Sequence, residues 1–158
     1  MILPLLSITC SHLFYAVVWL RPNLVKNIGV EGVIGVSVGM RAFQFLTTSI
    51  MMKNYIINLN FFTSKLFLIL IGQLLNLTVY KKLGMEGVYY GSKFNRKLPM
   101  ITSFPYNVMS NPQYVGCVLT QYGTFLFYPY HQMAILTFYS VMCYIVTTEI
   151  EKMTVKST

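Results

Sequence analysis

The sequence predicts an all-α integral membrane protein with four or five transmembrane helices, the last two forming a helical hairpin broken at Pro129. Three observations lead there. Of the 158 residues, 55% are apolar and only 10% are charged, whereas a soluble domain is about one quarter charged. The apolar residues fall in runs of roughly 20, the length a helix needs to cross about 30 Å of hydrocarbon at 1.5 Å per residue. The charges lie between these runs and are one-sided: twelve Lys and Arg against four Glu and no Asp, a net charge of +8. Placed this way, the positive charge fits the flanks of membrane spans and anionic headgroups, and no nucleic-acid partner is expected. The length fits one domain, residues 1–158.

The first span is Ile2–Leu20, closed by Trp19 at the interface and by Arg21 and Pro22 beyond it. No basic residue precedes it and no small-residue cleavage site follows, so it is expected to be a retained span and not a cleaved signal. The second covers 30–52. Its Gly35 and Gly39 make a G-x-x-x-G face that lets another helix approach closely. Arg41 falls near its middle and is expected either to face protein, water or a lipid phosphate, or to snorkel out of a tilted helix. The third covers 61–80; the formal glycosylation sequon Asn76-Leu77-Thr78 lies within it, out of reach. Residues 81–110 mix five basic residues with glycines, prolines and aromatics, and predict an interfacial segment that is helical in part before Asn95 and irregular after it. The apolar stretch 111–146 is too long for one span. Tyr128-Pro129-Tyr130 predicts a turn between helices at about 112–128 and 131–150.

Charge placement favours five crossings over four. Five put Arg21, Lys26, Lys81, Lys82, Lys93, Arg96, Lys97, Lys152 and Lys156 on one face, and leave Lys53 and Lys65 on the other. The basic face is then expected to be cytosolic, with the N-terminus opposite. Cys10, Cys117 and Cys143 sit in apolar runs without metal or redox spacing and are expected as small apolar fillers, so no metal site is expected. His12, alone in an apolar run, is expected to pack with one hydrogen bond. His131 belongs to the turn on the far face.

Most of the remaining polar signals collect at the basic face. They are the segment Leu83-Gly-Met-Glu-Gly-Val-Tyr-Tyr-Gly91, then Phe104-Pro-Tyr-Asn107, then Asn111-Pro-Gln-Tyr-Val-Gly116 and the C-terminal carboxylates. In this order they resemble the phospholipid N-methyltransferase family, whose members methylate phosphatidylethanolamine or its partly methylated forms with S-adenosylmethionine. His12-Leu-Phe-Tyr-Ala-Val-Val-Trp19, followed by Pro22, resembles that family's first span. The wording of residues 111–116 is most similar to the short plant-type members. Two positions depart from the pattern: Leu70-Ile71-Gly72 stands where the family has Gly-x-Gly, and Glu151-Lys152 where many members have adjacent glutamates.

The resemblance implies a site. S-adenosylmethionine is expected against Gly72, Gly84, Gly87, Gly91, Asn111, Pro112, Tyr114, Gly116 and Glu151. The phospholipid is expected against Tyr89, Tyr90 and Arg96, with Glu86 as the catalytic proton acceptor. The chemistry is compatible. Methyl transfer to a neutral amine needs positioning and water exclusion more than a strong protein nucleophile. Glu151 is the first choice to accept bonds from the cofactor's ammonium and ribose hydroxyls, and the start of the helix at Asn111-Pro112 offers amide donors to its carboxylate. The tyrosines suit a methylated ammonium through cation–π contacts. Each residue also has a plain structural role open to it: glycines for helix packing, Asn111 as a cap, tyrosines as interfacial anchors and Arg96, Lys93 and Lys97 as basic flanks, Glu86 as a solvated carboxylate.

Three alternatives to phospholipid N-methylation remain open. They are an isoprenylcysteine carboxyl methyltransferase-like enzyme, a sterol reductase-like enzyme, and a degenerate relative serving as a subunit of a membrane complex. The expected compartment is the endoplasmic reticulum, with a mitochondrial membrane as the alternative.

Overall fold

The structure, a computed structural model, describes residues 1–155, with side chains through Lys152; Lys156 and the tail beyond it lie outside the described residues. Five helices follow one another: α1 (Ile2–Leu20), α2 (Gly29–Met52), α3 (Phe62–Val88), α4 (Pro112–Phe127) and α5 (His131–Val155). Four segments are long and apolar enough to cross a bilayer, and these contain α1, α2, α3 and α5. The fourth helix has 16 residues and is therefore only about 24 Å long. It nevertheless runs from the basic end to the far end. The Phe127 carbonyl accepts a hydrogen bond from Asn58 N (2.8 Å) and Tyr130 Oη accepts one from Ile56 N (3.1 Å), both in the loop between α2 and α3. The hairpin expected around Pro129 is present, and the ends of α1, α3 and α5 lie at one end of the bundle with the starts of α2 and α4.

Local chemistry explains the boundaries. Pro22 cannot continue α1 and starts a short 3-10 turn over Pro22–Leu24. Phe62–Val88 extends well past the apolar run that ends at Tyr80, because Lys81 and Lys82 are good helix formers whose ammonium groups reach water there. Gly84 then takes φ +68°, and the helix kinks at the level of the interface.

Among the helix pairs, α3 and α4 make the most extensive contact. Their approach is set by glycines. A methyl group at Gly72 would lie 2.5 Å from the Gly116 carbonyl and 2.5 Å from Thr120 Oγ1. One at Gly116 would lie 2.7 Å from the Gly72 carbonyl, and one at Gly123 would lie 2.7 Å from the Ile69 side chain. Backbone thus meets backbone, as small residues permit where lipid offers no hydrophobic drive between helices. By contrast, Gly35 and Gly39 of the G-x-x-x-G face meet nothing within 4 Å. That face is turned away from the bundle.

The first helix holds the bundle by hydrogen bonds that lipid cannot replace. Tyr139 Oη lies 2.7 Å from Thr9 Oγ1, whose own proton goes to the Leu5 carbonyl, so the tyrosine donates. Buried His12 places Nδ1 2.9 Å from Thr147 Oγ1. Thr147 donates to the Cys143 carbonyl, so His12 is the donor and carries its proton on Nδ1. Lys65, in the first turn of α3, is buried and donates to the Asn58 carbonyl at 2.8 Å. Cys117 and Cys143 are partly buried fillers, while Cys10 is exposed on the outer side of α1.

Two outcomes are expected. Gly72→Leu and Gly116→Leu should each destabilise the α3–α4 pair by about 1–3 kcal/mol through overpacking, while Gly35→Leu should be nearly neutral; steric trapping or thermal unfolding in detergent reads the difference. In a background in which Cys10, Cys117 and Cys143 are Ala, single cysteines at Ser92 and Lys152 should label from the same side of the membrane, and one at Asn60 from the other.

Candidate functional site

Where α3 bends, the chain passes through Tyr89 and Tyr90 into a short 3-10 turn, Gly91–Phe94. Tyr90 adopts φ +62°, a conformation costly for a residue with a bulky side chain. Gly91 is glycine by necessity, since a methyl group there would lie 2.7 Å from the Glu86 carbonyl. This tight reversal places the Tyr90 ring against Trp19, with centroids 5.2 Å apart, and its hydroxyl beside α4 and α5.

Three side chains meet there, one from the reversal after α3, one from α4 and one from α5. Glu151 Oε1 accepts hydrogen bonds from Tyr90 Oη at 2.8 Å and from Tyr114 Oη at 2.5 Å. The two hydroxyls are 3.2 Å apart. Each carries one proton and directs it at the carboxylate, so both are donors to a single charged oxygen, the stronger class of hydrogen bond. The group forms part of a cleft of about 200 Å³ whose walls include Trp19, Gly87, Tyr106, Asn111 and Pro112. Pro112 opens α4 and is fully buried. Asn111 does not cap this helix with its side chain; its amide reaches across to Thr148 Oγ1 at 3.5 Å. The amides of Gln113 and Tyr114, in the first turn of α4, belong to residues that line the cleft and have no side-chain cap from Asn111, and the positive end of the helix dipole lies beside it. The capping role open to Asn111 is not taken up: its side chain reaches to α5 instead.

The structure sorts the remaining expected site residues by position. Gly87, Tyr90, Asn111, Pro112, Tyr114 and Glu151 line the one cleft. Gly84 makes the bend and Gly91 the reversal that shape it. Gly72 and Gly116 lie deeper, packed on one another between α3 and α4, and do not line the cleft. Tyr89 is 6% exposed and turns inward, with its hydroxyl 2.8 Å from that of Tyr80 and its ring packed near Tyr15 and Val79. Glu86 and Arg96 belong to a surface chain of ion pairs: Arg96 donates to Glu31 at 2.7 Å and lies 3.5 Å from Glu86. All three side chains are roughly half or more exposed, so each pair contributes little, about 0–1 kcal/mol. Glu149 is paired with Lys152 at 2.8 Å on the outside of α5. Among the described residues no cluster of metal-ligating side chains occurs.

Two cleft residues went unread as site residues in the sequence. In sequence Trp19 has the look of an interfacial anchor, yet Lys93 Nζ lies 3.8 Å above its ring and Tyr90 packs on it. Tyr106 belongs to the irregular loop, and only the fold brings it to Asn111 and Pro112. The Phe-Pro-Tyr-Asn motif was its one visible signal.

A family model described as phospholipid methyltransferase matches residues 60–158. The chain is 47% identical over 49 residues to a phosphatidyl-N-methylethanolamine N-methyltransferase of Arabidopsis thaliana, covering 31% of this chain and 30% of that protein. It is 33% identical over 85 residues to the Neurospora crassa protein of the same name, covering 53% of this chain and 40% of that one. For the Saccharomyces cerevisiae protein, also of that name, identity is 40% over 58 residues, covering 36% of this chain and 28% of the relative. The matched segments thus span less than half the length of each of these relatives. No solved structure matches the chain. The family model takes in the bend of α3, the start of α4 and the end of α5, where the cleft is built, and extends over more than half of the residues; the chain belongs to the phospholipid methyltransferase family.

Proposed function

We propose that this protein transfers methyl groups from S-adenosylmethionine to the amine of phosphatidylethanolamine or its mono- and dimethyl derivatives, toward phosphatidylcholine. The observation that carries this reading is the meeting of Glu151, Tyr90 and Tyr114 beside the start of α4. The donor set fits a cofactor with an amino-acid end. A carboxylate stands ready for an ammonium or ribose hydroxyls, and helix amides stand ready for a carboxylate. Bound there, S-adenosylmethionine would supply a methyl group that the amine lone pair takes up as the carbon–sulfur bond breaks and the neutral thioether leaves.

The protein's own residues then have positional work. Glu151 orients the ammonium end, and Tyr90 and Tyr114 hold the Glu151 carboxylate in place. Trp19, Tyr90 and Tyr106 wall the cleft with aromatic surface, which excludes water and suits a cationic headgroup. Gly87 keeps the α3 wall of the cleft free of side chain. Glu31, Arg96 and Glu86 act as a strut that fixes the 91–96 turn against the start of α2, and the displaced amine proton leaves to water at the basic end. The bilayer phospholipid is the partner this chemistry requires. The basic end is cytosolic, and the compartment is the endoplasmic reticulum, with a mitochondrial membrane as the alternative.

A second reading has its own observation. Lys152 stands where many family members carry a second glutamate, and it is spent on Glu149. On that ground the chain is a degenerate relative that serves as a subunit of a membrane complex and holds no cofactor.

Glu151→Gln removes the charge and keeps the shape. It should weaken S-adenosylmethionine binding by about ten- to a hundredfold, the cost of one charge-assisted hydrogen bond. Glu149→Gln, on the outer side of the same helix, should leave binding unchanged. Equilibrium binding of labelled S-adenosylmethionine to purified protein measures both, and an unmodified chain that binds none establishes the subunit reading instead. Three of the relatives are named for the monomethylated lipid. Membranes given labelled cofactor should accordingly turn over mono- or dimethylated phosphatidylethanolamine faster than the unmethylated lipid, as read by chromatography of the products.

A further inference from the structure

Beneath the tyrosines of the cleft, on the far half of the bundle, lies a second chamber of about 330 Å³. Its lining is unusual for the interior of a membrane protein. Arg41, Gln44 and Thr48 of α2 face Gln73 of α3, Gln121 of α4 and Ser140 of α5 across it. Arg41 lies twelve residues into α2, about 18 Å from its start, at the depth of the hydrocarbon. It does not snorkel. Its guanidinium sits 5.5 Å from the Tyr15 ring and 5.8 Å from the Tyr144 ring, and Nη1 donates to Gln44 Oε1 at 3.3 Å. Among the described residues no carboxylate pairs with it. The Oε1 atom of Gln121 is buried in the same chamber without a hydrogen-bond partner. Ionisable groups held at this depth pair with an opposite charge or serve a ligand.

The geometry also says from which direction a ligand arrives. Toward the basic end the chamber stops at buried Tyr144, and the Arg41 guanidinium there also lies beside the buried Tyr15 ring. Toward the far end it stops at the apolar cluster of Ile8, Met133 and Leu136, each buried, with Met52 against it. Laterally it is not sealed. The second helix packs chiefly on α1, while α3 and α4 pack on each other. Between them Phe45, 75% exposed, and the exposed Gln73 form the rim. The chamber is therefore reached from the bilayer and not from water.

We propose that this chamber is a second lipid site, distinct from the Glu151 cleft. It holds the headgroup of a bilayer phospholipid, with the phosphodiester against Arg41 and the acyl chains leaving past Phe45 into the membrane. A guanidinium presents paired donors that match phosphate oxygens, and the amides and hydroxyls around it suit the rest of a polar headgroup. The bound phosphate is the counter-charge that Arg41 lacks among the described residues. The site follows from the charge and the access route alone and does not depend on methyl transfer.

The test uses the full chain in phosphatidylcholine nanodiscs and a trace phospholipid with a diazirine near its glycerol. Adducts should map to residues 44–52 and 117–124, in addition to ordinary lipid-facing adducts at Phe67 and Phe138. Arg41→Gln should lower the chamber adducts about tenfold relative to those at Phe67 and Phe138, as expected for loss of a charge-assisted contact. Thr48→Phe, which fills the chamber and leaves Arg41 in place, should do the same. A phosphate-free diacylglycerol probe should fail to label the chamber, and inorganic phosphate should not compete. The proposal is overturned if both variants keep the chamber adducts, if the diacylglycerol labels equally, which makes the opening a plain apolar groove, or if inorganic phosphate displaces the lipid, which makes it an aqueous anion site.

Discussion

The contact of Gly72 with Gly116 is the constraint on which the arrangement rests. In lipid, helices gain nothing by hiding apolar surface, so they associate through close packing and through polar contacts with no solvent alternative. With no side chain at either position, α3 and α4 touch backbone to backbone. That contact holds the short α4 alongside the longer α3. The start of α4, at Asn111 and Pro112, is thereby held against the bend of α3 at Gly84 to Tyr90. The turn at Pro129 then sends α5 back across the bundle, and its end delivers Glu151 to the same place. A bulkier residue at Gly72 would part the helices and with them the two tyrosines that share the carboxylate.

The Glu151 cluster shows how a membrane protein keeps a charge at its interface. A lone carboxylate among aromatic walls would be poorly solvated. Two phenol donors, one from the reversal after α3 and one from α4, make up for much of the water it loses. The strained backbone of Tyr90 is one cost of the arrangement, and the packing of its ring on Trp19 and Tyr15 opposes that cost. Lys93 over the Trp19 ring adds a cation–π contact on the outer side. The surface ion pairs around Arg96 work differently. They are exposed and individually weak, and their effect is to set the position of a turn more than to add stability.

Polar residues within the spans follow the same logic in two groups. His12, Thr147, Thr9 and Tyr139 are mutually satisfied and tie α1 to α5. The residues around Arg41 are incompletely satisfied and open toward lipid. The first group is the cost of a specific bundle, met within the chain. The second has the character of a site.

Hydropathy and charge are sums along the chain, and they were enough to place the long apolar helices, the hairpin at Pro129 and the collection of basic residues at one end. The family resemblance of short motifs singled out Glu151, Tyr114, Tyr90, Asn111 and Gly87, and the fold gathers these five into one cleft. It did not separate those residues from Gly72, Gly116 and Tyr89, which look alike in sequence and turn into the packing between helices. Nor did it join Glu86 to Arg96 and Glu31, or bring Trp19 and Tyr106 to the cleft. These outcomes depend on the rotation of each helix about its axis and on where a bend falls, and a rotation of 100° per residue carries a neighbour from one wall to another. Arg41 is the clearest case. The sequence established that a charge lies at mid-membrane, and only the packing of Tyr15, Tyr144 and Gln44 around it decided that the charge stays inside the bundle and faces a chamber open to lipid.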